Sequence, residues 1–436
     1  MKVITVGLLG LGTVGGGTVN VLKHNAEEIS RRCGYQIRVG HASARDITKA
    51  RICDTSDIQL TTDPAAVVTH PDVDVVVELI GGDTLALEMV LLAIEHGKHV
   101  VTANKALIAR HGSRIFAAAS ERGVMVAYEA AVAGGIPIIK ALREGLAGNR
   151  IEWLAGIING TGNFILTEMR EKGRDFADVL REAQQLGYAE ADPTFDVEGI
   201  DAAHKLTILA SIAFGIPLSF SSVNTEGITK ITREDVRNAE ELGYRIKHLG
   251  IARRTDAGIE LRVHPTLIPA TQLIANVNGV MNAVLVKGSA VGPTLYYGAG
   301  AGSNATASAV VADIIDVARA LNVPAELRIP ALGFQPQELA NTTLLPMDAV
   351  ESYYYLRMAV TDERGVLAAI TKILGDNDIS IEALIQKAHP EGELTTPLVM
   401  LTHKVLEGAM NRAIAEIERL PSIHGQVLRI RTEPLQ

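Results

Sequence analysis

Val3-Ile4-Thr5-Val6-Gly7-Leu8-Leu9 is an apolar run that leads directly into Gly10-Leu11-Gly12-Thr13-Val14-Gly15. The run is typical of a buried parallel strand, and the second stretch is a G-x-G-x-x-G motif that opens a predicted helix. Gly10 permits the tight turn, Gly12 lets the backbone approach a pyrophosphate, and Gly15 allows close helix–strand packing. The helix amino terminus favours negative charge, so the stretch predicts a dinucleotide site. A glycine-rich turn without a ligand is the alternative.

The first third of the chain continues this alternation of strands and helices. Further buried strands are predicted at 36–42, 73–80, 99–102 and 124–129, and helices at 18–32, 85–96 and 106–122. Repeated β–α units predict an α/β fold with a parallel sheet covered on both faces.

Beyond about residue 134 the pattern changes twice. Longer helices with fewer strands predict an α+β domain, with helices at 138–146, 175–186, 200–214 and 307–321 and strands at 151–158 and within 260–295. The proline-containing stretch 330–348 is typical of a linker. The tail predicts the β-α-β-β-α-β order of a ferredoxin-like unit, with strands at 353–361, 379–387, 397–403 and 426–431 and helices at 365–374 and 406–420.

Composition argues against several classes of function. The chain has 436 residues, enough for about three domains. Its net charge of −9 argues against nucleic-acid binding, which needs a basic excess. Two cysteines form no disulfide framework, and no run is long enough to cross a bilayer, so we expect a cytoplasmic chain without a membrane partner.

The end of the second predicted strand bears on the choice of cofactor. Arg45 suits the 2′-phosphate of NADP, whereas the neighbouring Asp46 leaves NAD open. A surface loop without a cofactor role is the alternative. Thr102-Ala103-Asn104-Lys105 ends another predicted strand, and ligands bind beyond such ends, so Lys105 is a candidate for cofactor or substrate contact. A solvated loop lysine is the alternative.

An acid-rich segment supplies the second group of candidates. Gly187-Tyr188-Ala189-Glu190-Ala191-Asp192-Pro193 leads through Asp196 into a helix that holds Asp201 and Lys205 at i, i+4. The helix is otherwise apolar, so these charges form either a site or an exposed ion pair, and spacing alone does not decide. Burial lowers the pKa of a lysine and a neighbouring acid raises it, which leaves the proton-transfer role of Lys205 open as well. A zinc site is not expected because no H-E-x-x-H or Cys/His cluster is present.

Together these stretches resemble homoserine dehydrogenase, in the longer bacterial form with a C-terminal ACT domain. Matching motifs run through nearly the whole chain: Gly7 to Gly15, Thr102 to Lys105, Glu129 to Ile138, Asn159-Gly160-Thr161-Gly162-Asn163-Phe164-Ile165, Gly187 to Lys205, Tyr296 to Gly302 and Thr306 to Asp313. The family usually has a proline just before Thr306, and its absence here puts the local loop shape in doubt. Another ACT-bearing dehydrogenase and a non-catalytic amino-acid sensor are the alternatives.

The resemblance implies an NAD(P)-dependent interconversion of L-homoserine and L-aspartate 4-semialdehyde in threonine, methionine and isoleucine biosynthesis. Lys205 matches the proton donor and acceptor, Asp201 the acid beside it, and Lys105 a lysine near the nicotinamide that some readings give the proton instead. The substrate is assigned to Glu190, Asp196 and Thr161. The cofactor is assigned to Gly10, Gly12, Thr13, Val14, Gly15, Arg45, Lys105, Gly187 and Gly302, with NADP favoured and NAD possible.

The resemblance also implies an ion and an effector. Glu129, Val132, Gly134 and Ile136 match backbone positions that hold a monovalent cation, sodium in the family. In the tail, Asp362, Gly365, Asn377 and Ile379 match an effector site, usually for threonine, and a purely assembly-related tail is the alternative.

The expected organisation is a Rossmann-type dinucleotide-binding domain (1–134, with a return segment at about 303–330), an α+β catalytic and dimerisation domain (135–302), a linker (331–350) and an ACT regulatory domain (351–433). We expect a homodimer or homotetramer, and we expect cutting near Met347 to leave activity and abolish threonine sensitivity.

Overall fold

The computed structural model describes residues 1–386 and 395–435, and it divides into two compact units. Unit 1 comprises Met1–Gly160, Ala203–Ser221 and Val280–Thr342, and unit 2 comprises Thr161–Ala202, Ser222–Gly279 and Thr343–Gln436. Lys387, the end of one predicted strand, lies outside the described residues.

Seventeen strands occur in the described ranges. They are β1 (Lys2–Leu9), β2 (Tyr35–Ser43), β3 (Gln59–Thr61), β4 (Val75–Glu78), β5 (His99–Thr102), β6 (Val126–Ala127), β7 (Ile151–Ile157), β8 (Asn224–Thr225), β9 (Tyr244–Arg254), β10 (Ile259–Pro269), β11 (Met281–Gly288), β12 (Gly292–Ala299), β13 (Glu351–Thr361), β14 (Ile381–Gln386), β15 (Thr395–Thr402), β16 (Val405–Leu406) and β17 (Ile423–Thr432).

Fourteen α-helices occur in the same ranges. They are α1 (Thr13–His24), α2 (Ala26–Cys33), α3 (Pro64–Val68), α4 (Thr84–Glu95), α5 (Lys105–Arg122), α6 (Ile138–Lys140), α7 (Gly160–Lys172), α8 (Phe176–Gln185), α9 (Thr194–Val197), α10 (Ile200–Phe214), α11 (Arg233–Glu241), α12 (Ser303–Ala320), α13 (Val366–Asp376) and α14 (Glu407–Ile417).

Unit 1 contains the predicted parallel sheet, with strand order β3-β2-β1-β4-β5-β6. The order reverses between β1 and β4, the point where open α/β sheets bind ligands at their carboxyl ends. The predicted return segment is helix α12, whose Val310, Ile314 and Val317 share a core with Val6 and Val75. The α/β fold class is therefore confirmed.

Several local features of unit 1 differ from the prediction. The predicted strand 124–129 is only the short β6, and a 3-10 turn follows at Glu129–Ala131. The predicted helix 18–32 is two helices, because Asn25 ends α1 and begins α2. The glycines at 15–17 are part of α1, which begins at Thr13, earlier than predicted. The predicted helix 138–146 is α6 followed by a π-helical turn at Ala141–Gly145.

Unit 2 contains a mixed sheet with the described order β9-β10-β17-β13-β15-β14. The tail has the predicted β-α-β-β-α-β order, with the short β16 added between β15 and α14. Its last strand is interior: β17 pairs with β13 and, in parallel, with β10, where Thr266 faces Arg431. Tyr355, Val399 and Ile430 of the tail share one core with Phe164 and Leu267. The tail is therefore continuous with the preceding part of unit 2.

Ion pairs also join the tail to the rest of unit 2. Arg431, 1% exposed, donates to Glu226 at 2.7 Å and, within the tail, to Glu407 at 2.5 Å. Arg357 donates to the buried Asp235 at 2.6 Å. No described helix is long and apolar enough to cross a membrane.

Candidate active site

The glycine-rich loop joins β1 to α1 at the reversal point of the parallel sheet. Gly10 has a φ of +99°, and a Cβ there would lie 2.7 Å from the carbonyl oxygen of Leu79. A Cβ on Gly15 would overlap the carbonyl oxygen of Gly10. Gly12, in contrast, caps α1 and has nothing within 4 Å of its Cβ position. The loop is thus closed against its own backbone at Gly10 and Gly15 and open at Gly12, which leaves room for a phosphate beside the helix amino terminus.

A cavity of about 740 Å³ lies beside this loop, at the carboxyl ends of β1, β2 and β4. Its lining includes Gly10 and Gly12, the β2 end at Ala44 and Arg45, and Leu79 after β4. Cavities of this size are typical of small-molecule and cofactor sites.

The wall that follows β2 is basic. Arg45, Lys49 and Arg51 line it, and Arg51 donates to the carbonyl oxygen of Leu11 at 2.9 Å. Asp46 also lines the cavity, but its carboxylate accepts both the amide of Thr48 at 2.9 Å and the hydroxyl of Thr48 at 2.7 Å. These hydrogen bonds lower the pKa of Asp46. One oxygen of the acid, Oδ1, is therefore engaged by Thr48, and three basic residues line the same wall.

The second glycine segment reaches the same loop. Gly302 has a φ of +116° and caps α12, and the hydroxyl of Ser303 donates to the carbonyl oxygen of Thr13 at 2.8 Å. A Cβ on Gly17 would meet Ser303, so α1 and α12 approach closely here. The helix begins at Ser303 without the proline that the family usually has before Thr306.

Lys105 is the first residue of α5, and a buried polar network fixes this helix end. Glu78, fully buried at the end of β4, accepts the Thr102 hydroxyl at 2.6 Å, and Thr102 accepts the Asn104 amide at 3.0 Å. The Asn104 side chain caps α5 by accepting the Leu107 amide at 3.1 Å. Burial raises the pKa of Glu78. Sequence reasoning missed Glu78 because it ends an apolar run that reads simply as a strand.

Lys205 and Asp201 lie one turn apart on α10, the helix predicted at 200–214. Asp201 is only 4% exposed, which removes the interpretation of an exposed ion pair. Lys205 is half-buried, and its ammonium donates to the carbonyl oxygen of Ile158, just past β7, at 2.7 Å. A lysine anchored on a backbone carbonyl has a defined direction, as a proton-transfer group requires.

The residues assigned to the substrate lie in unit 2. The buried Thr161, in the first turn of α7, donates to the carbonyl oxygen of Tyr188 at 2.6 Å. Gln184 donates to the carbonyl oxygen of Glu190 at 3.1 Å, and the Glu190 residue is exposed. Gly187, with a φ of +74°, directly follows the end of α8, and Asp196 lies in the short helix α9. The structure thus links Thr161 to the segment that carries Glu190.

The segment assigned to a cation is a buried turn. Ala133 and Gly134 have φ values of +55° and +48°. The Glu129 carboxylate accepts the amides of Ile139 and Lys140, each at 2.9 Å, so its side chain holds the turn. Val132 and Gly134 are buried, and within the described ranges their carbonyl oxygens accept no backbone hydrogen bond. Buried carbonyl groups that accept no hydrogen bond are uncommon, and coordination of a hard cation would compensate for the missing donor.

The four candidate effector residues lie at the two ends of α13. Gly365, with a φ of +90°, precedes the helix, and the exposed Asp362 is beside it. Asn377 ends the helix, and the buried Ile379 follows. At 1.5 Å per residue the two pairs are roughly 17 Å apart, too far for one chain to place them around one amino acid.

Lys247 is a further unusual residue that the sequence analysis missed. It is 1% exposed on β9, and its ammonium donates to the Val277 carbonyl at 2.5 Å and the Asn163 side chain at 3.2 Å. Burial, with repulsion from Arg170 and Arg245, lowers its pKa to about 7. It thereby anchors α7, the helix that contains Thr161. No strand was predicted at 244–254, and β9 is buried on both faces, so nothing in the sequence distinguishes this lysine from an exposed one.

We expect Lys247→Met to flatten the pH dependence of the free energy of unfolding. The folded-state pKa is about 7, whereas an unfolded lysine holds its proton to about 10.4. Between these values the unfolded state binds more protons, so stability rises with pH across that window, by up to about 1.4 kcal/mol per unit. Urea unfolding at about pH 7, 8.5 and 10 measures this slope. The exposed Lys404→Met is the control, and a wild-type-like slope in Lys247→Met would contradict the prediction.

Three models of known protein families together match most of the chain. The family model described as "Homoserine dehydrogenase, NAD binding domain" matches residues 10–129, the model described as "Homoserine dehydrogenase" matches 137–315, and the ACT domain model matches 354–422.

Individual relatives agree with the models. A homoserine dehydrogenase of Pseudomonas aeruginosa is 63% identical and one of Neisseria gonorrhoeae is 57% identical, each covering 100% of both chains. The crystal structure of a homoserine dehydrogenase from Thiobacillus denitrificans superposes with a TM-score of 0.96 at 64% identity, covering 100% of this chain and 99% of that one. A hyperthermophilic archaeal homoserine dehydrogenase in complex with NADPH matches with a TM-score of 0.63 at 27% identity, over 74% of this chain and 99% of that one. These matches favour the predicted family over both alternatives.

Proposed function

This chain belongs to the homoserine dehydrogenase family, and from that premise we propose how its residues share the reaction, which nicotinamide cofactor it prefers and what regulates it. It is an NAD(P)-dependent oxidoreductase that interconverts L-homoserine and L-aspartate 4-semialdehyde. A nicotinamide cofactor held beside the glycine-rich loop would supply the hydride chemistry at C4 of the substrate.

Lys205 moves the proton of the reacting oxygen. In the direction of oxidation its neutral amine accepts the hydroxyl proton as the hydride leaves, and in the reverse direction its ammonium returns that proton to the aldehyde oxygen. The hydrogen bond to Ile158 supports this role because it aims the side chain. Asp201 orients Lys205, Glu190 binds the substrate ammonium with Asp196 and Thr161, and Lys105 balances charge beside the reacting oxygen.

NADP is the preferred cofactor. The observation that carries this proposal is the basic wall of the cavity, where Arg45, Lys49 and Arg51 face the space after β2. A 2′-phosphate carries negative charge that these side chains match with charge-assisted hydrogen bonds. Selecting NAD would use an acid at the ribose hydroxyls, and along this wall three basic residues outnumber the one acid, Asp46.

A cofactor titration tests this preference. We expect Arg45→Ala to raise the KM for NADPH by about 10- to 100-fold, the scale of one charged hydrogen bond, and to leave the KM for NADH nearly unchanged. Aspartate-semialdehyde reduction at varied NADPH and NADH measures both constants. Arg31→Ala, an exposed arginine on α2 paired with Glu28, is the matched control. Equal losses with the two cofactors would show that Arg45 does not contact the 2′-phosphate.

A monovalent cation, sodium by family resemblance, binds the turn at 129–136. The carbonyl oxygens of the buried Val132 and Gly134 support this proposal, since a ring of carbonyl groups suits a hard cation. The ion would hold the turn that precedes α6 and has no part in proton transfer.

Threonine is the proposed effector, bound by the ACT domain. Asp362 and Gly365 of one chain would complete the site with Asn377 and Ile379 of another, because a single α13 separates the two pairs. The proposal therefore includes a homodimer or homotetramer. The predicted domain boundaries at 134, 302, 331 and 351 remain part of the same proposal.

A further inference from the structure

His41, His70 and Asp72 form a cluster in unit 1 that the proposed reaction does not use. His41 is on β2, and the other two lie between α3 and β4. One potential ligand atom from each residue lies within 4.8 Å of the other two. The two imidazole ring centroids are 3.8 Å apart, with the ring planes inclined by 32°.

The side chains of this cluster are of types that bind a cation, and their contacts with one another contribute little to the stability of the fold. His41 is 8% exposed, and its ring lies against the ring of His70. A neutral imidazole donates a ring-nitrogen lone pair to a metal, and the distances within the cluster bring one such nitrogen of each histidine close to a carboxylate oxygen of Asp72. Two adjacent imidazoles gain little from each other, whereas the exposed Asp72 carboxylate adds the negative charge that an ion needs.

We propose that His41, His70 and Asp72 bind a divalent transition-metal ion of the zinc class. Two imidazole nitrogens and one carboxylate oxygen are ligands that Zn²⁺, Co²⁺ and Ni²⁺ share, and three protein ligands leave one position for water. Magnesium and calcium are not favoured because they take oxygen ligands almost exclusively.

Neighbouring groups affect how strongly an ion would bind to the cluster. The Asp72 amide donates to Nδ1 of His70 at 3.2 Å, so this nitrogen presents its lone pair towards Asp72, and the ion would replace that one hydrogen bond. Two cations lie nearby and oppose the ion. Arg38 is on β2, and the ammonium of Lys98 is held by the carbonyl oxygens of His70 and Val73 at 3.2 and 2.5 Å.

The site would join two elements that border the cofactor cavity. The residues that follow His41 on β2 lead to Ser43 and Ala44, and α3 begins at Pro64, and all three residues line that cavity. A metal bound between β2 and the end of α3 would therefore stabilise this wall without contacting the substrate.

A Co²⁺ titration of the full-length chain, freed of metal with a chelator, tests the proposal. We expect one equivalent to bind with the visible absorption of a four-coordinate ion, and Zn²⁺ to displace it and raise the Tm. His70→Ala and Asp72→Asn change residues outside the core, and each should weaken binding by at least about tenfold. His24→Ala, an exposed histidine on α1, is the matched control and should bind as wild type does.

The opposite results would overturn the proposal. Absence of the four-coordinate spectrum would mean that the cluster binds no ion of this class. Unchanged affinity in His70→Ala would place any bound ion on other histidines among the twelve in the chain. NADPH titration of each variant verifies that the cavity is intact. Weak metal binding that results from misfolding is thereby distinguished from the loss of a metal ligand.

Discussion

Lys205→Ala is expected to lower kcat by about 10²- to 10⁴-fold while the affinity for NADPH stays unchanged. The amine that donates to Ile158 in the resting chain is the group proposed to carry the proton, and alanine removes it without touching the glycine loop or the basic cavity wall. Steady-state reduction of aspartate semialdehyde measures kcat, and fluorescence titration measures NADPH binding.

Two companion variants make the result decisive. Lys172→Ala removes an exposed lysine of α7 that pairs with Glu168, and it should leave kcat at the wild-type value. Lys105→Ala should weaken the reaction less than Lys205→Ala does. If Lys205→Ala keeps its turnover and Lys105→Ala loses it, the proton belongs to Lys105.

Ending the chain near Met347 is expected to destroy the fold of unit 2, in contrast to the expectation drawn from the sequence that activity survives. The cut removes β17 and β13, exposes the core around Leu267, and leaves Glu226, Arg262 and Asp235 without the partners that Arg431, Glu433 and Arg357 supply. Arg262 and Asp235 are fully buried, and a buried charge that loses its ion-pair partner costs about 3–5 kcal/mol, so these two losses alone rival the stability of a typical domain.

Circular dichroism, soluble yield and turnover of the shortened chain measure this outcome. A better test of the effector keeps the chain whole: Asp362→Ala changes an exposed residue, and it should leave the fold and basal turnover intact while reducing inhibition by threonine. A soluble, active chain ending near Met347 would show that the shared core and ion pairs are dispensable.

The glycine loop and the parallel sheet beside it were predictable because each depends on local chemistry. A buried strand that runs into G-x-G-x-x-G has few alternatives, and the structure places Gly10 and Gly15 where a side chain would collide. Helix α10 was predicted at its observed bounds because its apolar residues are nearly continuous. The order of elements in the tail followed from the same periodicity.

Features that depend on distant parts of the chain were not predictable. Glu78 and Lys247 each look ordinary in a strand, and only the fold shows that Thr102 and Asn163 satisfy them. The pairing of β17 with β10 joins residues more than one hundred and fifty positions apart, so the tail looked like a separate appendage. The distance between the ends of α13 likewise emerges only once the helix is built.

The interior position of β17 has a consequence for the order in which the chain folds during its synthesis. A ribosome releases the chain from its amino terminus, so unit 1's parallel sheet can assemble early, but β10 must wait for a neighbouring strand that lies more than one hundred and fifty residues later in the chain. Until then the edge of β10 and the charged side chains around it stay open to chaperones or to wrong partners. Translation pauses between β10 and β17 should therefore burden this protein more than pauses within the parallel sheet of unit 1.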